Sequence, residues 1–175
     1  MREKQNRHRE KSKRDPSKYL TIIVDRIDQN ETNLPELPRI AKSAQNLWTL
    51  HSHLTGCLVD TCTENGKMVY AFLNIMEYPH DLNLVIQVII IENSKKVSEK
   101  ESRLPEVLYL QFNNCFKKNK NKYIFTFCSL LILKGVFKKV CINFLPVGHT
   151  HDDVDEFYSK ISTNLSRVAA ETISS

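Results

Sequence analysis

The chain has 175 residues, 41% of them hydrophobic and 26% charged, with a formal net charge of +5. That length can bury a core without disulfides or metal ions, and no run reaches the roughly 18 to 20 apolar residues of a membrane span. Charge from Arg2 onward leaves no apolar secretory region, so a nuclear or cytoplasmic protein is expected, neither secreted nor membrane-bound.

Residues 1–18 hold eight Lys or Arg and three acids, so this segment accounts for the whole net charge. It reads as a basic N-terminal segment, set apart from a domain over residues 19–170 and a tail over 171–175. Such a segment can contact phosphate backbones or serve as a nuclear import signal. The alternative is a solvated charged helix or a disordered tail, and composition does not choose between them.

Tyr19 to Val24 is a β-branched run ending at Asp25, the pattern of a buried strand. Residues 28–46, polar and with Pro35 and Pro38, read as a loop. Two strand-like runs follow, His53 to Cys62 and Lys67 to Asn74. They are joined by Thr63-Glu64-Asn65-Gly66, and Asn-Gly between apolar runs marks a hairpin. From Asp81 to about Lys100 a helix is expected, capped by Asp81 or Asn83, with Leu84, Val85, Val88 and Ile91 on one face. The triplet Ile89-Ile90-Ile91 argues against it.

Val107 to Phe112 reads as a fourth strand. Lys118 to Gly135 has the spacing of an amphipathic helix through Ile124, Phe127, Cys128, Leu131 and Ile132, with Gly135 as its stop. Lys139 to Leu145 is a fifth strand, closed by Pro146. The last helix starts near Thr150, where Thr150 and Asp153 form a capping box, and its apolar face runs through Val154, Phe157, Tyr158, Ile161, Leu165 and Val168. The five cysteines, Cys57, Cys62, Cys115, Cys128 and Cys141, form no C-x-x-C pair and read as reduced thiols.

The resulting order is strand, strand, strand, helix, strand, helix, strand, helix. The first strands include an antiparallel hairpin, and the later ones should pair in parallel through helical crossovers. This is the α/β order of a ribonuclease-H-like mixed sheet. Enzymes of that fold cut or join phosphodiesters with two divalent ions. Their carboxylates come from the first strand, the end of the fourth and the last helix. Here the first strand ends in Asp25, and the last helix carries Asp152, Asp153, Asp155 and Glu156. No acid lies between Glu106 and Asp152. Asp152 and Asp153 read as helix N-terminal acids, and Asp155, beside Val154, reads as the residue facing a cleft.

Leu108-Tyr109-Leu110-Gln111-Phe112-Asn113-Asn114-Cys115, then Asn119-Lys120-Asn121, then Gly148-His149-Thr150-His151-Asp152-Asp153-Val154-Asp155 resemble a family of transposon-derived proteins. Its pattern reads QxDNC, NKN and GHTHxDxD. The resemblance extends from Asp25-Arg26-Ile27-Asp28-Gln29 to the last helix. It implies an integrase-type, ribonuclease-H-like transposase domain, with Asp25 as first acid and Asp155 as third. The second acid falls on Asn113, which departs from the pattern. Asp25 and Asp155 would then hold Mg2+ or Mn2+ with one charge fewer, so cleavage should be impaired. The alternative is a non-catalytic remnant that binds nucleic acid or protein. DNA is the expected partner, and the oligomeric state is left open between monomer and homo-oligomer.

Lys117, Lys118, Lys120 and Lys122 form a basic run at a helix start, suited to phosphate contacts, and equally to a solvated helix end. His149 and His151 have the types of a zinc site. The preferred reading has one of them orient a phosphate or a site carboxylate. No zinc-finger or helix-turn-helix signature for finding element ends is present, which fits a decayed copy.

Overall fold

A computed structural model describes residues 2–26, 52–60, 67–75, 86–87, 89–90, 104–112, 122–144, 156–164 and 167. The chain is a mixed α/β protein built on one five-stranded sheet. The strands are β1 (Tyr19–Arg26), β2 (Ser52–Asp60), β3 (Lys67–Ile75), β4 (Val107–Phe112) and β5 (Lys139–Phe144), in the order β3-β2-β1-β4-β5. The helices are α1 (Arg2–Arg14), α2 (Lys122–Leu133) and α3, residues 156–164.

β2 pairs antiparallel with both β1 and β3, whereas β4 runs parallel to β1 and β5 parallel to β4. The antiparallel hairpin and the parallel later strands are thus as the sequence suggests. The hairpin turn lies outside the described residues. So do the polar stretch 28–46, the capping residues Asp81, Asn83, Thr150 and Asp153, and the face Leu84, Val85, Val88 and Ile91. In that part of the chain residues 86, 87, 89 and 90 are helical. Ile89 is fully buried there, with Ile86 against the same core.

β1 is the central strand, and its sequence explains why. Leu20, Ile22 and Val24 point to one face and Thr21, Ile23 and Asp25 to the other, and all six are buried. A strand covered on both faces needs a near-continuous apolar run rather than strict alternation. On the first face Leu20, Ile22 and Val24 pack with Cys57, Val59, Leu108, Leu110 and Phe112, covered by Ile124 and Cys128 of α2, Phe137 and Ile89. Burial pushes the Cys128 thiol up to about 11, so it behaves as a small apolar residue. Cys57, Cys128 and Cys141 are reduced cysteines, outside any disulfide.

The α2 stripe is narrower than its periodicity suggests. Ile124 and Cys128 are buried, Phe127 and Leu131 half-buried, but Ile132 is 42% exposed. The helix is described from Lys122 onward, and the expected start at Lys118 lies outside the described residues. It ends as expected at Gly135, whose φ of 68° is the left-handed conformation glycine adopts without strain. Gly135 N–H donates to the Ile132 carbonyl and Val136 N–H to that of Leu131, the paired bonds of a Schellman stop.

The second face is divided. α3 covers Ile23, Leu54 and Leu58 with Tyr158, Phe157 and Ile161. α1 covers the rest with polar side chains. Gln5, His8 and Ser12, three and four residues apart, form its buried stripe. Ser12 shares a 2.7 Å hydrogen bond with Thr21 of β1. The His8 ring stacks on Tyr109 of β4 with centroids 3.9 Å apart, and its Nδ1 lies 3.3 Å from Asn143 Nδ2 of β5. Arg9 donates to both carboxylate oxygens of Asp60 on β2, at 3.0 and 3.3 Å. The Asp60 side chain is fully buried, and removing one partner of such a pair costs about 3–5 kcal/mol. The basic segment is therefore a helix fastened to four strands, β1, β2, β4 and β5, not a tail.

Burial, then the nearby charges of Lys4, Lys11, Lys139 and Arg7, hold the His8 imidazole below its ordinary value of 6.5. The unfolded chain therefore takes up this proton first as pH falls. His8 contributes its full stability above pH 6.5 and loses it as pH drops through the folded-state value. We expect the melting temperature to fall between about pH 7.5 and about pH 5.5, and the fall to be smaller in His8→Gln. An equal fall in both proteins would remove His8 as its cause.

Candidate active site

Asp25 is the next-to-last residue of β1, and the residue as a whole is 7% exposed. Two neighbouring strands frame it. Gly56 of β2 is its antiparallel partner, and Val24, just before it, pairs with Phe112, the last residue of β4. Parallel pairing thus brings the end of β4 beside the end of β1, because both strands run toward the same edge of the sheet.

α3 reaches the same point from the second face. The Tyr158 hydroxyl donates to the Asp25 backbone carbonyl at 2.6 Å and accepts from the Gly56 N–H at 2.7 Å. One phenol therefore bridges two adjacent strands at the position of the candidate carboxylate. Both bonds are buried, where each resists competition from water. The approach depends on Gly56, since a Cβ there would lie 2.7 Å from the Tyr158 hydroxyl oxygen. A glycine inside a strand is otherwise unfavourable and marks such close contacts.

Of the candidate acids and lysines singled out in the sequence, Asp25, Lys122 and Glu156 are among the described residues. Lys122 is the first residue of α2, exposed, with its ammonium 5.3 Å from the Tyr123 ring centroid. Asn113 directly follows β4 and Asp155 directly precedes α3 in sequence, and both lie outside the described residues. Lys117, Lys118, Lys120, His149 and His151 lie outside them as well. Among the described residues no group of three or more His, Cys, Asp or Glu side chains is placed to hold a metal ion. Glu156, also singled out in the sequence, is exposed and paired with Lys160 one turn on, at 2.6 Å.

Sequence reasoning missed the Tyr158 bridge. Tyr158 reads as one more residue of an apolar face, and it is in fact packed with Ile23, Leu54 and Leu58. The available signal was Gly56, isolated in an otherwise β-branched and apolar run. Reasoning also missed the polar layer under α1. There Gln111 donates to the Gln5 backbone carbonyl at 3.4 Å, while Gln5 Nε2 and Gln111 Oε1 are buried without a hydrogen-bond partner.

The family described as Domain of unknown function (DUF7869) matches residues 42–175 of the chain, well over half of it. No curated protein and no solved structure matches. The match takes in β2 through α3 and leaves α1 and β1, with Asp25, ahead of it.

Tyr158→Phe removes both hydroxyl bonds and should cost about 1–3 kcal/mol. Gly56→Ala should destabilise by driving the same ring away. Because the two changes break one contact, their effects should fall short of additive in a double-mutant cycle, by about 0.5–3 kcal/mol. Urea unfolding of the four proteins measures this, and strict additivity would sink the bridge as an energetic unit.

Proposed function

The chain belongs to the DUF7869 family, and we propose, from its sequence pattern and sheet order, that it carries a transposase-derived, ribonuclease-H-like domain. Its ancestral chemistry is metal-dependent phosphoryl transfer on DNA, impaired here because Asn113 stands where a second acid is required. The observation that carries the reading is the hydrogen bond from Tyr158 of α3 to the Asp25 carbonyl. Asp155 lies three residues before Tyr158, and Asn113 follows the β4 residue paired with Val24. Phe112 and Tyr158, described residues close to those positions in sequence, both lie at the end of β1 that carries Asp25, and this supports the reading. The strand order β3-β2-β1-β4-β5, with β1 and β4 parallel neighbours, supports the same reading.

The donor types suit a hard divalent ion such as Mg2+ or Mn2+, which takes carboxylate and amide oxygens. Asp25 and Asp155 would hold it, with the Asn113 carbonyl oxygen as a neutral third donor. Bound there, the ion would polarise a phosphodiester oxygen and activate the attacking hydroxyl. The protein's own contribution is to fix Asp25 in place. Its backbone is held by the β2 pairing and by the Tyr158 hydroxyl, so the point from which the carboxylate projects is fixed before any ligand arrives. An amide at residue 113 lacks the charge that offsets a second dication, and metal affinity falls accordingly.

A divalent-metal-dependent cleavage and strand-transfer assay on DNA tests this. Little or no activity is expected from the natural chain, and a gain from Asn113→Asp that disappears when Asp25→Asn or Asp155→Asn is added. Robust activity in the natural chain that survives Asp25→Asn would discard the site.

A further inference from the structure

The cations of α1 are sorted by the way the helix docks. Gln5, His8 and Ser12 define the side against the sheet. Arg9 and Lys13 flank that side on the β2 edge, where both reach Asp60, at 3.0 and 3.9 Å. Lys4, Arg7, Lys11 and Arg14 flank it on the opposite side. Their spacing of three, four and three residues keeps them within about a quarter of the helix circumference, along about 15 Å of its length. All four are exposed, and so is Lys139 at the start of β5. The ion pairs among the described residues engage Arg9, Lys13, Lys138 and Lys160, not these five.

Two further contacts show that this stripe does not stop at the helix. Lys139 of β5 is in register with Val107 of β4 and through it with Tyr19 of β1, over whose ring Lys11 lies, so cations from α1 and β5 share this end of the sheet, and with Lys4 and Arg7 they act on His8. Lys11 and Lys18 lie 5.8 and 5.7 Å from the Tyr19 ring centroid, and Tyr19 stacks on Tyr109 at 5.9 Å. The cations are thus mounted on a rigid aromatic and polar layer rather than on a solvated tail.

We propose that the Lys4–Arg7–Lys11–Arg14 stripe of α1, continued by Lys139 of β5, is a binding surface for the phosphate backbone of double-stranded DNA. This deepens the reading of the chain as a DNA-processing domain, and it assigns most of the contact to α1, which lies ahead of the DUF7869 match, with only Lys139 inside it. The chemistry of the surface selects the partner. The exposed described residues of α1 are charged or amide side chains, with no apolar side to insert into a lipid surface. Among the described residues, the exposed large hydrophobic side chains lie on β3, on α2 and the turn after it, or at Ile90. A protein partner would lack an apolar anchor on α1. Evenly spaced cations without such an anchor suit a polyanion bound by counterion release.

The test is equilibrium binding of a short labelled duplex of mixed sequence to the full chain, in EDTA, between about 50 and 200 mM salt. Deleting residues 1–18 is not a clean probe, because it also uncovers Thr21, Tyr109, Gln111 and Asp60. The variants are instead Lys4→Gln/Arg7→Gln/Lys11→Gln and, from a different element, Lys139→Gln. Lys160→Gln is the control, and circular dichroism melts verify folding. The log–log salt slope of the natural chain should fall by about one for each cation removed, with affinity falling in parallel, and Lys160→Gln should change neither. Unchanged slope and affinity in the triple variant and in Lys139→Gln would overturn the proposal. So would binding to phosphatidylserine vesicles or to poly-glutamate that matches or exceeds binding to the duplex. Because EDTA removes divalent ions, loss of the cleavage reading leaves this result intact. Conversely, the Asn113→Asp gain can appear even where the stripe fails.

Discussion

Everything in this fold follows from placing one strand, β1, where both of its faces are covered. Six consecutive residues from Leu20 to Asp25 are buried, which obliges the chain to supply a layer on each side of the sheet. Large aliphatic residues such as Ile22 and Ile23 contribute about 1.5–3 kcal/mol each when fully buried, so neither layer can be omitted cheaply. The first layer is apolar and conventional, built by α2, Phe137 and Ile89. The second is composite, apolar under α3 and polar under α1.

Under α3 the second face is apolar around Ile23, Leu54 and Leu58, and there the Tyr158 hydroxyl hydrogen-bonds the backbone of both β1 and β2. That arrangement fixes the end of β1 against α3 and leaves Asp25 at a rigid junction of three elements. Under α1 the same face is polar, with Thr21, Tyr109, Gln111 and Asn143 meeting Ser12, His8 and Gln5. Such a layer is specific because its hydrogen bonds tolerate few alternative registers, yet it is less stabilising per residue. Two of its buried amide atoms lack partners, each at a cost of about 1–3 kcal/mol. Arg9 and Asp60 offset part of that cost by tying the helix to β2.

The sheet was legible in the sequence, and the reason is local. β1 and β4 are short β-branched or aliphatic runs, and β2–β3 is bracketed by an Asn-Gly turn signal, so period and punctuation agree. Gly135 was legible for the same reason, as a glycine just past an apolar period. α1 was not, because its buried stripe is Gln5, His8 and Ser12, and hydrophobic periodicity cannot detect a stripe that is polar. Its eight-in-eighteen density of cations suggested solvent on all sides, whereas two of those cations, Arg9 and Lys13, face a buried carboxylate. Of the candidate site, Asp25 could be named from its place at a strand end. Its tether could not, since Tyr158 and Gly56 are 102 residues apart and only tertiary packing brings them together.

The extent of the family match sharpens the point about β1. The match starts at residue 42, after the strand on which the sheet is centred. Without β1 the hairpin β2–β3 and the parallel pair β4–β5 would share no hydrogen bonds, since each pairs with the other only through it. Leu58 and Leu110, fully buried here, would face open sheet edges prone to pairing with other chains. A unit of residues 42–175 would therefore need a strand from elsewhere to close its sheet. In this chain Tyr19–Arg26 is that strand, and it brings Asp25 with it. The same segment that completes the core also delivers the first carboxylate of the candidate site, so the sheet and that carboxylate would be lost together.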